Sequence, residues 1–191
     1  MGRLTNTREQ IVDRARQLLG SHGFDGFSYQ DISSYLGIKN AAVHYHFRSK
    51  EDLGLALIED TAARVRSEIR FGQEADVSPR EQLEVYLRRM EKEAAAQEHQ
   101  ICSIGALSVN YGNISESMQT SVAGILQDIR AWMVRILQEG RQAGDFNFEG
   151  SSQGKAELIM SAVQGARQIS RVLNNVDLQR VTNQIRTELY G

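Results

Sequence analysis

The chain of 191 residues contains one proline and one cysteine. With Pro79 as its single fixed breaker, the sequence suits an all-α protein. Cys102 has no second thiol to pair with, so an intrachain disulfide is excluded and a reducing, cytoplasmic setting is expected. No apolar run approaches the roughly 18 residues of a membrane span, and the N-terminus lacks the apolar core of a signal sequence. A paired-histidine zinc motif, a phosphate-binding Walker loop and a nucleophile elbow are all missing, so catalysis is not expected and no cofactor is implied. His44 and His46 stand two residues apart on what reads as a helix, hence on nearly opposite faces. No Cys or carboxylate stands at ligand spacing beside them, so they make no metal pair.

Net charge is scarce as well, at −2 for the whole chain. Its distribution is uneven. Residues 1–50 hold seven basic and four acidic side chains, a net of +3, and the remainder holds 15 and 20, a net of −5. A basic N-terminal part on an acidic body is the pattern of a DNA-binding head. The length accommodates one domain or two small ones with a buried core.

The stretch Ser28 to Lys50, S-Y-Q-D-I-S-S-Y-L-G-I-K-N-A-A-V-H-Y-H-F-R-S-K, is the most informative. Ser28 is placed to cap a short helix, with Asp31 three residues on as its box partner. Ile32 and Leu36 form that helix's inner face, and Gly37 stands where a helix end needs a left-handed residue. A second helix begins near Lys39, with Val43 and Phe47 inward and Ala41 and Ala42 small enough for close approach. Two short helices about a glycine turn predict a helix-turn-helix whose second helix enters a DNA major groove. Its outer side offers Lys39, Asn40, His44 and Tyr45. Lysine suits guanine acceptors and asparagine suits adenine. Gln30, on the preceding helix, faces the same way.

The segment A-A-V-H-Y-H-F-R-S-K-E-D-L, with the preceding G-F-D-G-F-S-Y-Q-D-I-S-S-Y-L-G-I, resembles the signature of the TetR family of bacterial transcriptional regulators. The resemblance runs from about Thr7 to Leu57, and His44 stands where the family most often has tyrosine. It implies an all-α fold, with an N-terminal three-helix DNA-binding head (1–50) on a larger helical ligand-binding and dimerisation body (51–191). It further implies a homodimer on double-stranded operator DNA, released by a small-molecule inducer. Ser28, Tyr45, Ser49 and Lys50 match family positions that hold the phosphate backbone. A rival reading, a helical enzyme or small-molecule carrier with a vestigial head, is separated from this one by a salt-dependent test of DNA binding.

The remaining periodicity predicts six further helices besides one at Thr7–His22. The fourth runs from Ser49 to about Arg70, and the fifth opens at Ser78-Pro79-Arg80-Glu81, with its cap, N1 proline and box glutamate in order. A short sixth covers Cys102 to Tyr111, and a long seventh starts at Asn113 or Ser115. Residues Gly140 to Gly150 read as a turn, Ser152 to Leu173 as the eighth helix, and Asp177 caps a ninth. Apolar positions on the last two (Ile159, Val163, Ile169, Val172, Leu178, Val181 and Ile185) exceed what one inward stripe needs, which suits a twofold interface.

Tyr86, Met90, Cys102, Tyr111, Trp132, Met133, Met160 and Gln164 supply the aromatic, thioether and polar groups of a ligand pocket, against the alternative that they only pack the core. Two readings of Cys102 stay open. One is a small buried hydrophobe that seats its helix. The other is a thiol activated by a helix N-terminus and by His99, as in family members that sense electrophiles and oxidants.

Overall fold

The computed structural model describes residues 6–74, 76–96, 102–170, 172–173 and 177–190. Among these the secondary structure is wholly helical: α1 (Thr7–His22), α2 (Tyr29–Leu36), α3 (Asn40–His46), α4 (Lys50–Glu74), α5 (Pro79–Ala96), α6 (Ser103–Val109), α7 (Glu116–Ala143), α8 (Ser152–Ile169) and α9 (Leu178–Tyr190), with a 3-10 turn at Tyr111–Asn113 before α7. The all-α expectation holds. None of the helices is long and apolar enough to cross a membrane.

Contacts divide the chain into two compact units: the described residues of Met1–Arg64 with Ile101–Gly124, and those of Val65–Gln100 with Ile125–Gly191. The segment 1–50 falls within the first, and 51–191 is distributed over both.

In the first unit, Ile11, Ala15 and Leu19 of α1, Ile32 of α2, Val43 of α3 and Leu53 and Leu57 of α4 are fully buried. Phe24 and Phe27 close this core edge to face, with ring centroids 6.3 Å apart. Helix α6 packs on α1. Gly54 lets α7 approach α4, because a Cβ there would stand 2.6 Å from Met118 Cε.

The second unit is built around Leu83, Leu87, Met133, Ile136, Leu137, Ala156, Val163 and Leu189, all inaccessible to solvent. Several boundaries differ from the sequence expectation, among them the end of α6 at Val109 rather than Tyr111. Helix α4 runs on to Glu74 rather than stopping near Arg70. Helix α7 passes through Gly140, because the glycine meets an aromatic ring: a Cβ there would lie 2.3 Å from Phe146 Cδ2. The chain turns only at Gly144, whose φ is 84°, and Asp145 and Phe146 donate back to the Gly140 carbonyl. Helix α8 stops at Ile169, not Leu173, as the Ser170 hydroxyl takes the Arg167 carbonyl at 3.0 Å and competes with the backbone ladder.

Of the apolar residues expected in excess on the last two helices, Ile159, Val163, Leu178 and Ile185 are consumed inside this unit. On α8 and the described residues just after it, the exposed large apolar side chains are Leu158, Ile169, Val172 and Leu173.

Candidate DNA-binding face and effector pocket

Three local devices shape the helix-turn-helix. The Ser28 N–H and hydroxyl both donate to Asp31 at 2.7 Å. These bonds hold the Asp31 carboxyl below the usual carboxylate range. Gly37 adopts the left-handed conformation, φ 66° and ψ 27°, that ends α2. Ser49 and Asp52 cap α4 reciprocally, at 3.0 and 3.1 Å. Tyr29 ties these elements together. Its hydroxyl donates to the Ser49 carbonyl and its ring meets His44 edge-on at 4.7 Å. Burial, then the nearby Asp52 charge, push its phenol up to about 12.

With Val43 buried and Phe47 closing the end, α3 presents Lys39, Asn40, His44 and Tyr45 to solvent. Tyr45 is 84% exposed, so packing within the monomer does not account for it. Ser28, Gln30 and Ser49 are exposed beside them, Gln30 donating to Ser34 at 3.0 Å. Lys50 is placed differently. Its ammonium donates to the Phe27 carbonyl and lies 4.5 Å from the Phe27 ring centre and 5.1 Å from that of Phe24. Burial pushes it below the usual lysine range. Sequence reasoning passed over Tyr35, 62% exposed on α2 and covered by the Arg14 guanidinium at 3.8 Å. Among the described residues no cluster of three or more His, Cys, Asp or Glu side chains stands ready for a metal.

The second unit holds a narrow apolar slot that opens to solvent. Val65, Ile69 and Phe71 of α4, Val85 and Tyr86 of α5, and Ile129 and Trp132 of α7 line it. Its polar centre is Gln82. The side-chain oxygen accepts from Trp132 Nε1 at 3.2 Å and Arg135 Nη2 at 3.3 Å, and the amide donates to the Val77 carbonyl at 2.7 Å. Gly72 makes room for it, since a Cβ there would lie 2.7 Å from that oxygen. Arg89 forms one wall, donating to Glu68 at 2.8 Å and Glu93 at 3.0 Å. An apolar slot with a few oriented polar groups is suited to a small organic ligand.

Of the residues singled out from sequence, Tyr86 and Trp132 meet at this cavity, ring centres 5.5 Å apart. Met90 and Met133 are buried in the core cluster, and Met160 and Gln164 are half-buried on α8. Cys102 and Tyr111 belong to the other unit. Cys102 is half-buried at the N-cap of α6, where Sγ accepts from the Gly105 N–H at 3.3 Å. Tyr111 is exposed on the 3-10 turn, and His99 lies outside the described residues. Glu68, Phe71, Gln82 and Arg89 were missed. Only Gln82 carried a signal, as a polar residue on the same helical face as Leu83, Tyr86 and Met90.

Residues 11–57 match the sequence model of the family described as "Bacterial regulatory proteins, tetR family". Over 163 residues, 85% of this chain and 81% of that protein, the chain is 23% identical to the HTH-type transcriptional repressor DhaR of Mycobacterium sp. (strain GP1). The crystal structure of a TetR family transcriptional regulator from Agrobacterium tumefaciens superposes with a TM-score of 0.87 at 26% identity, covering 96% of this chain and 97% of that one. A TetR transcriptional regulator from Legionella pneumophila gives a TM-score of 0.85 at 25% identity, covering 98% and 100%. The head is thus matched in sequence to the TetR family of bacterial regulatory proteins, and the whole chain has the fold of TetR family regulators.

Proposed function

We propose that the protein is a ligand-responsive transcriptional repressor that binds operator DNA as a homodimer. It leaves the DNA when a small-molecule or electrophilic inducer engages its helical body. Residues 1–50 supply the DNA-binding domain, and 51–191 supply ligand binding and dimerisation. The observation that carries the reading is α3: anchored by Val43 and Phe47, it leaves Lys39, Asn40, His44 and Tyr45 facing solvent. These types match the donors and acceptors of base edges and phosphates. The repressor name of DhaR supports the direction of regulation.

Helix α4 is the element through which an effector acts. It is one uninterrupted helix from its cap at Ser49, directly after α3, to the residues that line the cavity. A ligand between Phe71, Tyr86 and Trp132 presses on that end, and the movement carries to the head. Two recognition helices on one duplex face must stand roughly 34–36 Å apart, so a modest shift costs binding. Reversing a population from 1:99 to 99:1 takes about 5.5 kcal/mol of differential affinity.

A second copy fits the groove between α8 and α9 lined by Leu158, Ala162 and Val181, beside the Lys155–Glu188 ion pair. The reading is tested by a mobility-shift assay of the full chain on duplex DNA from upstream of its own gene, with unrelated duplex as competitor. Retardation that survives the competitor supports it; complete loss to the competitor refutes it.

A further inference from the structure

Arg167 is the least expected charge in the second unit. It is 3% exposed on α8, next to the buried Ala166. Its Nη1 donates to Glu93 at 3.3 Å and lies 3.9 Å from Met90 Sδ. Its Nε and Nη2 are buried and have no hydrogen-bond partner among the described residues. Those two N–H groups are the side-on fork of a guanidinium, parallel donors spaced to receive both oxygens of one anion.

A buried charged donor left unmade costs free energy, so a fork in this state points to a missing acceptor. A single water is a poor one. It can take both N–H groups but carries no charge to set against the guanidinium, whereas a carboxylate matches the fork in geometry and in charge. Glu93 does not supply the acceptor: one of its oxygens takes Arg167 Nη1 and the other takes Arg89. Met160 and Gln164 stand seven and three residues earlier on the same face of α8, and both are half-buried. Long helical side chains lean toward the N-terminus, the direction in which these two residues lie.

We propose that the fork is a carboxylate site for an organic monoacid. Its two oxygens accept from Nε and Nη2 of Arg167, and its apolar body lies past Met90 and Met160. A single delocalised charge on an apolar body fits this dry setting better than the more strongly hydrated phosphate. The ion pairs Glu68–Arg89–Glu93–Arg167 then join the occupied site to α4 at the cavity wall. As the chemical class of an inducer, the proposal rests on the effector-responsive reading; as a binding site, it does not.

The test is thermal denaturation of the full chain without DNA, with benzoate, the neutral isostere benzamide, and inorganic phosphate as probes. Benzoate at about 100 times its Kd raises Tm by roughly 5–10 °C, and benzamide and phosphate do not. Arg167→Lys keeps a cation for Glu93 but lacks the fork, and its benzoate response weakens at least tenfold. Benzamide matching benzoate, no response to benzoate, or an undiminished response in Arg167→Lys overturns the site. A response to phosphate equal to that of benzoate overturns the organic acid in favour of an inorganic oxyanion. Should Arg167→Lys fail to fold, the three probes on the unaltered chain still decide. Operator release by benzoate is measured separately. A Tm shift without release leaves the site standing and removes only its role as an inducer site.

Discussion

Tyr29 precedes the recognition helix in sequence, yet it holds three elements of the head in place. It starts α2, bonds the residue that caps α4 and meets His44 on α3. Tyr29→Phe removes the hydrogen bond and is expected to cost about 1 kcal/mol at neutral pH. Because the folded phenol is raised to about 12, its contribution is intact below the ordinary value near 10 and is lost as pH rises from there through about 12. An alkaline titration of helix content should show this loss for the natural chain and not for Tyr29→Phe. On the DNA side, Asn40→Ala or His44→Ala should relax preference at particular base pairs by about 1–3 kcal/mol, read from competition with single-base operator variants. Equal loss on every duplex would move those residues from base reading to backbone contact. The exposed residues of α3 were legible in the sequence, because two buried positions four apart fix which side faces out. The aim of Lys50 was not, since its stem serves a phosphate or the Phe27 carbonyl equally well until the aromatic pair is in place. Arg89 and Glu68 were equally hidden, as their meeting depends on how the successive helices α4 and α5 pack on each other.

Helix starts were more legible than helix ends. The caps at Ser28, Ser49, Ser78 and Asp177 all carry the expected hydrogen bonds, because capping is local chemistry between residues two or three apart. The misjudged boundary at Gly140 was set by tertiary contact. Glycine there reads as a breaker, and only the Phe146 ring across the turn shows that it serves close packing within α7. Gly140→Ala, an improvement in helix propensity, is therefore expected to destabilise by about 1–3 kcal/mol through overpacking. Urea denaturation checks the sign, and a stabilised variant would restore the reading of Gly140 as a helix end. The pocket residues were partly legible for a related reason. Tyr86 and Trp132 are an aromatic pair on one wall, whereas Cys102 and Tyr111 were grouped with them by chemistry although the chain places them in the other unit.

For the whole molecule, assembly and DNA binding are one claim, since a twofold operator needs a twofold protein. Leu158 is 55% exposed on α8 within the groove proposed for the second copy. Light scattering at micromolar concentration should give a dimer for the natural chain and a monomer for Leu158→Glu; a monomer for both would refute that interface. The resemblance in the head implied the proposed assembly from sequence; which apolar side chains of α8 and α9 stay outward for it was not legible, because Ile159, Val163, Leu178 and Ile185 turn inward. The most direct measurement of the central claim is fluorescence anisotropy of labelled upstream duplex titrated with the protein between 50 and 200 mM salt. Six or more phosphate contacts from a dimer predict a loss of affinity of about 10³ or greater across that range, with the upstream duplex preferred over a scrambled one throughout. Affinity that is indifferent to salt, or identical for the upstream and scrambled duplexes, would contradict the account.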